Sequence, residues 1–332
     1  MKLIVLLDIT IADTNLGNVI IMSAAEKHLR KVFPHAFFVR VSSFDGLGPP
    51  AKELVREADH IFLCGANTLY SHIWLFKPWR IGIRDALLMR NKVITVGVGW
   101  MRHKRLSEFW MAPDPYTRVV YQLALSKEHH HSVRDNYAER RLSELGFMVL
   151  NTGCPSLWSL SREHCEGIPK EKGASVVTTL TCYRQDLGAD RMLFNILRRS
   201  YDKVYFWAQQ PKDWAYAQMV FGKDKEAVEF LPPSLEALDE LLTSEASVDY
   251  VGTRLHAGIR ALQRQRRTII VGVDDRSLEM KKDFNLPVVL RGEWELLEEW
   301  VHKPLEIRVR VPEQNIRSFM EQFQERALQE EL

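Results

Sequence analysis

Arg254 and His256 stand two residues apart in the run Asp249-Tyr250-Val251-Gly252-Thr253-Arg254-Leu255-His256-Ala257-Gly258. Its first residues read as a strand, Gly-Thr as a turn, and the remainder as the start of a helix. An arginine there offers a bidentate fork beside the positive end of a helix, a combination that suits an anion. An imidazole next to it can carry a proton near neutral pH. Anion binding joined to proton transfer is the chemistry this run supports.

Two further stretches point the same way. Ser132-Val133-Arg134-Asp135 closes another strand, with Asp135 placed to cap the next helix and Arg134 leaving the strand end. Asn15-Leu16-Gly17-Asn18 opens a helix after the first strand; Gly17 allows a tight turn, and the helix's free N–H groups can hold an anion. The chain has no G-x-G-x-x-G and no P-loop. His129-His130-His131 is not expected to bind metal, because successive strand residues face opposite ways and at most two could share a site. No other His, Cys, Asp or Glu spacing suggests a metal.

The elements that must position these residues alternate between short β-branched runs and amphipathic stretches, as in βαβ units with parallel sheets. Strands are expected at 3–7, 36–41, 60–64, 92–96, 130–133 and 148–151, with helices at 18–32, 79–89, 116–125 and 137–145. A charged linker with Pro and Gly, 161–173, separates a second series. Its strands are expected at 174–180, 203–207, 248–251, 268–273 and 287–290, and its helices at 191–199, 235–243, 254–263 and 294–301. The tail, 313–332, puts Ile316, Phe319, Met320, Phe323 and Ala327 on one helical face that must dock, with the first domain as the candidate surface. The expected fold is α/β: an N-terminal Rossmann-like domain over 1–165, a C-terminal one over 174–310, and a C-terminal helix over 311–332. Ligands of open α/β sheets bind outside the strand C-termini, so the chemistry is expected in a crevice shared by the two domains.

Bulk properties exclude several classes. The chain has 332 residues, 46% hydrophobic and 27% charged, with a net charge of +2, so it lacks the basic excess of a nucleic-acid coat. No window is long and apolar enough to span a membrane, and the short apolar start lacks the features of a signal peptide. Cys64, Cys154, Cys165 and Cys182 are scattered, which fits reduced thiols in a cytoplasmic protein. Ile73-Trp74-Leu75-Phe76-Lys77-Pro78-Trp79-Arg80 mixes aromatic and basic residues; peripheral membrane contact is the sharper reading, a buried loop or dimer contact the preferred one.

In their order and spacing these stretches resemble the polysaccharide pyruvyl transferase family, from about Leu3 to Leu290. The family opens on an Asn-x-Gly-Asp/Asn turn, matched by Asn15–Asn18. It carries a Ser-x-Arg-Asp element with a following helix and Gly, matched by Ser132–Asp135 and Gly146. A Gly-x-Pro step follows, here Gly153-Cys154-Pro155, and its most specific mark is Arg-Leu-His, here Arg254-Leu255-His256. The sequence departs at the glycine-rich turn, reduced to Cys64-Gly65-Ala66-Asn67-Thr68, at Ala138 where Ser is common, and at Arg276 where Lys is common.

The resemblance implies a GT-B-like fold and transfer of the enolpyruvyl unit of phosphoenolpyruvate to a saccharide, with phosphate released. The acceptor is then a lipid-linked or nucleotide-activated saccharide, no cofactor or metal is required, and a homo-oligomer is allowed. Arg134, Arg254, Leu255, Asn15, Gly17 and Asn18 become candidate donor-binding residues, and His256 with Arg254 the catalytic pair. For the acceptor, Asn67, Trp207, Gln209 and Arg276 are candidates; Trp207 would stack on a sugar face, or equally pack in the core. The rival readings are a GT-B glycosyltransferase or sugar epimerase using a nucleotide-sugar, and a glycan-binding relative without catalysis.

Overall fold

The structure is a computed structural model and describes residues 1–101, 112–245 and 247–330, with the backbone alone for 325–330. The chain divides into two compact units. The first comprises Met1–Asp13, Asn18–Trp158 and Pro312–Leu332, the second Thr14–Gly17 and Ser159–Val311. The expected first domain therefore ends early: residues 159–165 belong to the second unit. Part of the stretch read as a linker is a short helix (Arg162–Glu166), capped by the Ser161 hydroxyl, which accepts from the His164 N–H at 3.2 Å.

In the first unit, β1 (Leu3–Asp8), β2 (Phe37–Ser42), β3 (His60–Cys64) and β4 (Val93–Val96) form a parallel sheet in the order β2-β1-β3-β4. A second parallel pair, β5 (His131–Val133) and β6 (Val149–Asn151), continues beyond it through a bridge between Val98 and Val133. Inner strands buried on both faces read as unbroken apolar runs, because alternate side chains serve two different cores. Val5, Leu7, Ile61 and Leu63 face one core. Ile4, Leu6, Phe62 and Ile94 face the other.

That second core is closed by α1 (Leu16–Val32), through Met22, Ala25 and Leu29, and by the tail helix, numbered α13 (Glu313–Glu330) in chain order. Phe319 and Phe323 of α13 are buried, each at a gain of roughly 1.5–3 kcal/mol. Two polar ties fix its register: Gln322 Oε1 accepts the His130 N–H at 2.8 Å, and the Asn315 amide donates to the Asn151 carbonyl at 2.9 Å. The side chain of Ala327, placed on the same stripe by the sequence, lies outside the described residues.

The remaining helices of this unit are α2 (Pro49–Glu57), α3 (Ile83–Leu88), α4 (Pro115–Ala124) and α5 (Asn136–Ser143). α3 is shorter than the helix expected from Trp79, because the Asp85 carboxylate accepts the Gly82 N–H at 3.2 Å and starts the helix there. Trp79 itself is buried in the first core.

The second unit begins with the Arg162–Glu166 helix, α6, and builds a six-stranded parallel sheet. Its strands are β7 (Ser175–Thr178), β8 (Lys203–Phe206), β9 (Val228–Phe230), β10 (Val248–Gly252), β11 (Thr268–Gly272) and β12 (Val288–Leu290), in the order β12-β11-β10-β7-β8-β9. Its other helices are α7 (Leu187–Ser200), α8 (Pro211–Phe221), α9 (Leu235–Ser244), α10 (Leu255–Gln263), α11 (Asp275–Phe284) and α12 (Trp294–His302). The chain builds outward from β7 through β8 to β9, then crosses back to β10 and builds the other way. This reversal, between β7 and β10, opens a crevice at the strand C-termini. β9, α8 and α11 are not among the elements expected from sequence. The fold is α/β in two doubly wound, Rossmann-like units.

Candidate active site

Gly252-Thr253-Arg254 crosses from β10 to α10 on one side of that reversal, and Thr179–Tyr183 leaves β7 on the other. Three groups lock the two turns in a ring. The Arg254 N–H donates to Thr179 Oγ1 (3.1 Å), the Thr179 hydroxyl meets Tyr250 OH (2.6 Å), and Tyr250 OH donates to the Arg254 carbonyl (2.7 Å). Thr181 Oγ1 adds a bond to Thr253 Oγ1 at 2.8 Å. Gly252 is required by this closeness: a Cβ there would lie 2.5 Å from Thr179 Oγ1 and 2.7 Å from its backbone nitrogen. Gly258 serves the helix in the same way, since a Cβ would meet Ile270 at 2.6 Å.

The Arg254 side chain, only 2% exposed, does not end in open space. Its fork is taken by Asp213 in the first turn of α8: Nε donates to Oδ2 at 2.9 Å and Nη2 donates to Oδ1. Nη2 also approaches Cys182 Sγ at 3.9 Å. Asp213 is itself organised, accepting the backbone N–H groups of Cys182 (3.1 Å) and Gln210 (3.2 Å). One edge of the Arg254 guanidinium, Nε with Nη2, is therefore held by a carboxylate of the protein.

The guanidinium also lies over the ring of Tyr183, 4.9 Å from its centroid, and Arg276 lies over the same ring at 5.7 Å. Arg276 Nη2 donates to Tyr183 OH, which donates to Asp274 at 3.1 Å, and Arg276 pairs with Asp274 at 2.6 Å. Burial alone would raise the Asp274 carboxyl; the Arg276 charge and its hydrogen bonds outweigh burial and hold it at about 2. Arg276, expected at the acceptor, is thus a neighbour of the Arg254 cluster and is already paired. His256 is buried in the first turn of α10, two residues from Arg254, and Leu255 between them is buried as well.

Other candidates of the second unit fall differently. Trp207 is fully buried and its indole N–H donates to the Ser234 carbonyl at 2.8 Å, so it is a core residue and not a sugar platform. Asn15 Oδ1 accepts the Gly17 N–H (3.0 Å) and the Gln209 amide (2.8 Å), while the Leu16 N–H donates to the Gln209 carbonyl at 2.9 Å. Two of the first donors of α1 are therefore spent on the protein and not held open for an anion. Gly17 has no left-handed backbone; it provides clearance, since a Cβ there would lie 2.6 Å from Gln209 Nε2.

In the first unit, Arg134 leaves β5 and is buried. Its Nε donates to Asp135 at 3.2 Å and its Nη2 to Asn67 Oδ1 at 2.6 Å. Asp135 also caps α5, accepting the Ala138 N–H at 2.8 Å. Room for the guanidinium comes from Gly99, where a Cβ would sit 2.5 Å from Arg134 Cζ. Asn67 was expected to meet the acceptor; it orients Arg134 instead, from a turn in which Gly65 and Ala66 have φ values of 60° and 54°. Asn18 is likewise engaged, its amide donating to Asp13 at 2.5 Å. The aromatic stretch at 73–80 is split: Ile73 and Trp79 are buried, whereas Trp74, Leu75 and Phe76 are exposed.

The sequence profile of polysaccharide pyruvyl transferases matches residues 15–275, which contain Arg134, Asp213, Arg254 and His256. The chain belongs to the polysaccharide pyruvyl transferase family. A comparison with curated proteins finds no match. Among solved structures, a UDP-N-acetylglucosamine 2-epimerase from Listeria monocytogenes, described as putative, is similar with a TM-score of 0.50 at 10% identity. The similarity covers 98% of this chain and 97% of that one. S. aureus MnaA bound to UDP is similar with a TM-score of 0.48 at 12% identity, over 97% of this chain and 91% of that one. The first likeness shows a shared GT-B-like fold.

Within this family member, sequence reasoning missed Asp213 and Tyr183. A signal for the first existed: Gln210-Pro211-Lys212-Asp213 has Pro at the first helical position and an acid at the third, a helix-start pattern. Among the described residues no group of three or more His, Cys, Asp or Glu could hold a metal ion. No described helix is long and apolar enough to cross a membrane.

Proposed function

We propose that this family member moves the pyruvyl unit of phosphoenolpyruvate onto a saccharide, closing a ketal over two hydroxyls and releasing phosphate. The observation that carries the reading is the Arg254–His256 cluster at the strand reversal of the second unit, within a chain of that family. Phosphoenolpyruvate is anionic at its phosphate and at its carboxylate, and Arg254, which leaves a buried strand two residues from His256, suits one of these ends. The Asp213 pair would fix the plane of the Arg254 guanidinium.

The reaction begins at the methylene carbon, which accepts a proton and becomes the methyl group. The adjacent carbon, now electron-deficient, forms a bond to the first hydroxyl oxygen, and that hydroxyl gives up its proton. The second hydroxyl oxygen then bonds to the same carbon as its bond to the phosphate oxygen breaks, the electron pair leaving with phosphate. Of the two protons lost by the hydroxyls, one balances the proton taken up by the methylene carbon and the other leaves on phosphate. His256 is the group assigned to carry these protons, as acid towards the donor and base towards the acceptor. The scheme uses no cofactor, and a cytoplasmic site of action is part of the proposal. Thermal-shift measurements test the donor: phosphoenolpyruvate should stabilise the protein, whereas tight binding of a nucleotide-sugar with indifference to phosphoenolpyruvate would overturn the assignment.

A further inference from the structure

A cavity of about 490 Å³ lies in the second unit along α8, lined by Leu16, Gln209, Gln210, Pro211, Trp214 and Pro233, among others. α8 connects it to the Arg254 cluster. Asp213 in the first turn holds Arg254, and Gln210, which lines the cavity, donates through its amide to Cys182 Sγ at 2.8 Å. The cavity walls are mainly apolar: an indole 37% exposed and packed against Phe230 at 4.8 Å between ring centroids, two prolines, and a leucine.

One polar atom in this lining is unanswered. Gln209 is 3% exposed, and its Oε1 has no hydrogen-bond partner among the described residues. Which end of the amide faces which way is fixed by chemistry. Asn15 Oδ1 already accepts the Gly17 N–H, so it meets Gln209 as an acceptor and requires the Gln209 NH2 group. The oxygen is left over. Buried carbonyl oxygens are almost always satisfied, and one without a partner beside a cavity calls for a donor from a ligand.

We infer that this cavity is the acceptor subsite and takes a pyranose ring, its apolar C–H face against Trp214 and one hydroxyl donating to Gln209 Oε1. The ring chemistry matches: a pyranose presents an apolar face for an indole and hydroxyl donors at its rim. The role as acceptor subsite rests on the transferase reading above; the binding of a sugar does not. The stacking residue expected from sequence at Trp207 is thereby reassigned to Trp214.

The test is saturation-transfer NMR with a panel of methyl glycosides, and with uridine and adenosine monophosphates, on the wild type and on Trp214→Ala and Trp214→Phe. At least one glycoside should receive saturation on its ring C–H protons. Trp214→Ala should weaken it by about tenfold, the size of one modest contact. Trp214→Phe should recover most of the loss. One monodeoxy analogue of that glycoside should lose most of its affinity.

In turnover, Trp214→Ala should raise the acceptor KM and leave the donor KM alone. Pyruvyl transfer with an unchanged acceptor KM in Trp214→Ala overturns the subsite while the transferase reading stands. Glycoside binding through Trp214 without phosphate release from phosphoenolpyruvate does the reverse. Saturation of the nucleotides alone, or of no glycoside at all, overturns the subsite.

Discussion

Arg134 and Arg254 occupy equivalent places, each leaving the C-terminal end of a parallel strand at the start of a helix, yet they are held by different means. The carboxylate paired with Arg134 is that of its own neighbour, Asp135, which at the same time caps α5, and its remote contact, Asn67, is a neutral amide. Arg254 is paired with Asp213, 41 positions away on another helix, and both members of that pair are almost fully buried. A charge held by its sequence neighbour costs the fold little to keep in place. A charge held by a remote partner makes the site and the packing of two elements one structure, so a change at one end is felt at the other.

The largest effect should come from the residue whose role is proton transfer alone. His256→Gln should lower turnover by roughly a hundred- to ten-thousandfold while calorimetry with phosphoenolpyruvate gives near wild-type binding. If binding is lost and the saturated rate is kept, His256 is a donor ligand and its assigned role is wrong.

The arginines should then separate in stability as well as in binding. Arg254→Ala leaves the Asp213 carboxylate buried and uncompensated, which costs about 3–5 kcal/mol. Removing both partners with apolar replacements, Arg254→Met with Asp213→Leu, should recover much of that loss without restoring turnover. Arg134→Ala leaves Asp135 with its helix-capping bond, and a loss of about 1 kcal/mol is expected. Urea denaturation of the three variants sharpens the contrast; equal losses for the two single alanine variants would erase it.

A smaller contrast concerns acid. His131 lies on β5, three residues before Arg134. Its Nε2–H donates to the Ser126 carbonyl at 2.8 Å, and its Nδ1 accepts the Thr95 N–H at 3.2 Å, so the neutral ring is the one that fits. Burial, reinforced by the neighbouring His130 charge, lowers its pKa from 6.5 to about 4 despite the Ser126 bond. The folded pKa is depressed, so this stability is full above pH 6.5 and is lost as pH falls towards 4, by at most about 3 kcal/mol. Asp274, paired with Arg276, is also depressed, but its window runs from the ordinary carboxylate value down to about 2. Hydrogen exchange at pH 5 should therefore show β5 opening more readily than at pH 7, with the start of α11, which Asp274 caps, unchanged. His131→Gln should flatten the β5 response; equal acid loosening of both regions would contradict the assignment.

The same two regions show what was legible in the sequence. Asp135 as cap and Arg134 at the strand end could be read because partner and motif are adjacent. The strand–turn–helix around Arg254 could be read from Gly252-Thr253, but not its partner, since topology alone brings α8 beside β10. Trp207 and Gln209 lie two residues apart on one stretch, and only packing distinguishes a core indole from a residue lining a cavity. β9 was missed because Val-Glu-Phe is short and follows a charged turn, and α11 because its apolar residues are few among charges. The tail stripe was visible as a face in need of a partner, and Phe319 and Phe323 fill that face against Phe33, Phe62 and Trp158.

The most direct test of the account is mass spectrometry of saccharides after incubation with phosphoenolpyruvate and the protein in deuterated water. A product heavier by one pyruvyl ketal, with deuterium in its new methyl group and one phosphate released per ketal, is the predicted result, absent with His256→Gln. Phosphate release without a saccharide, or a modified saccharide formed only when a nucleotide-sugar replaces phosphoenolpyruvate, would contradict it.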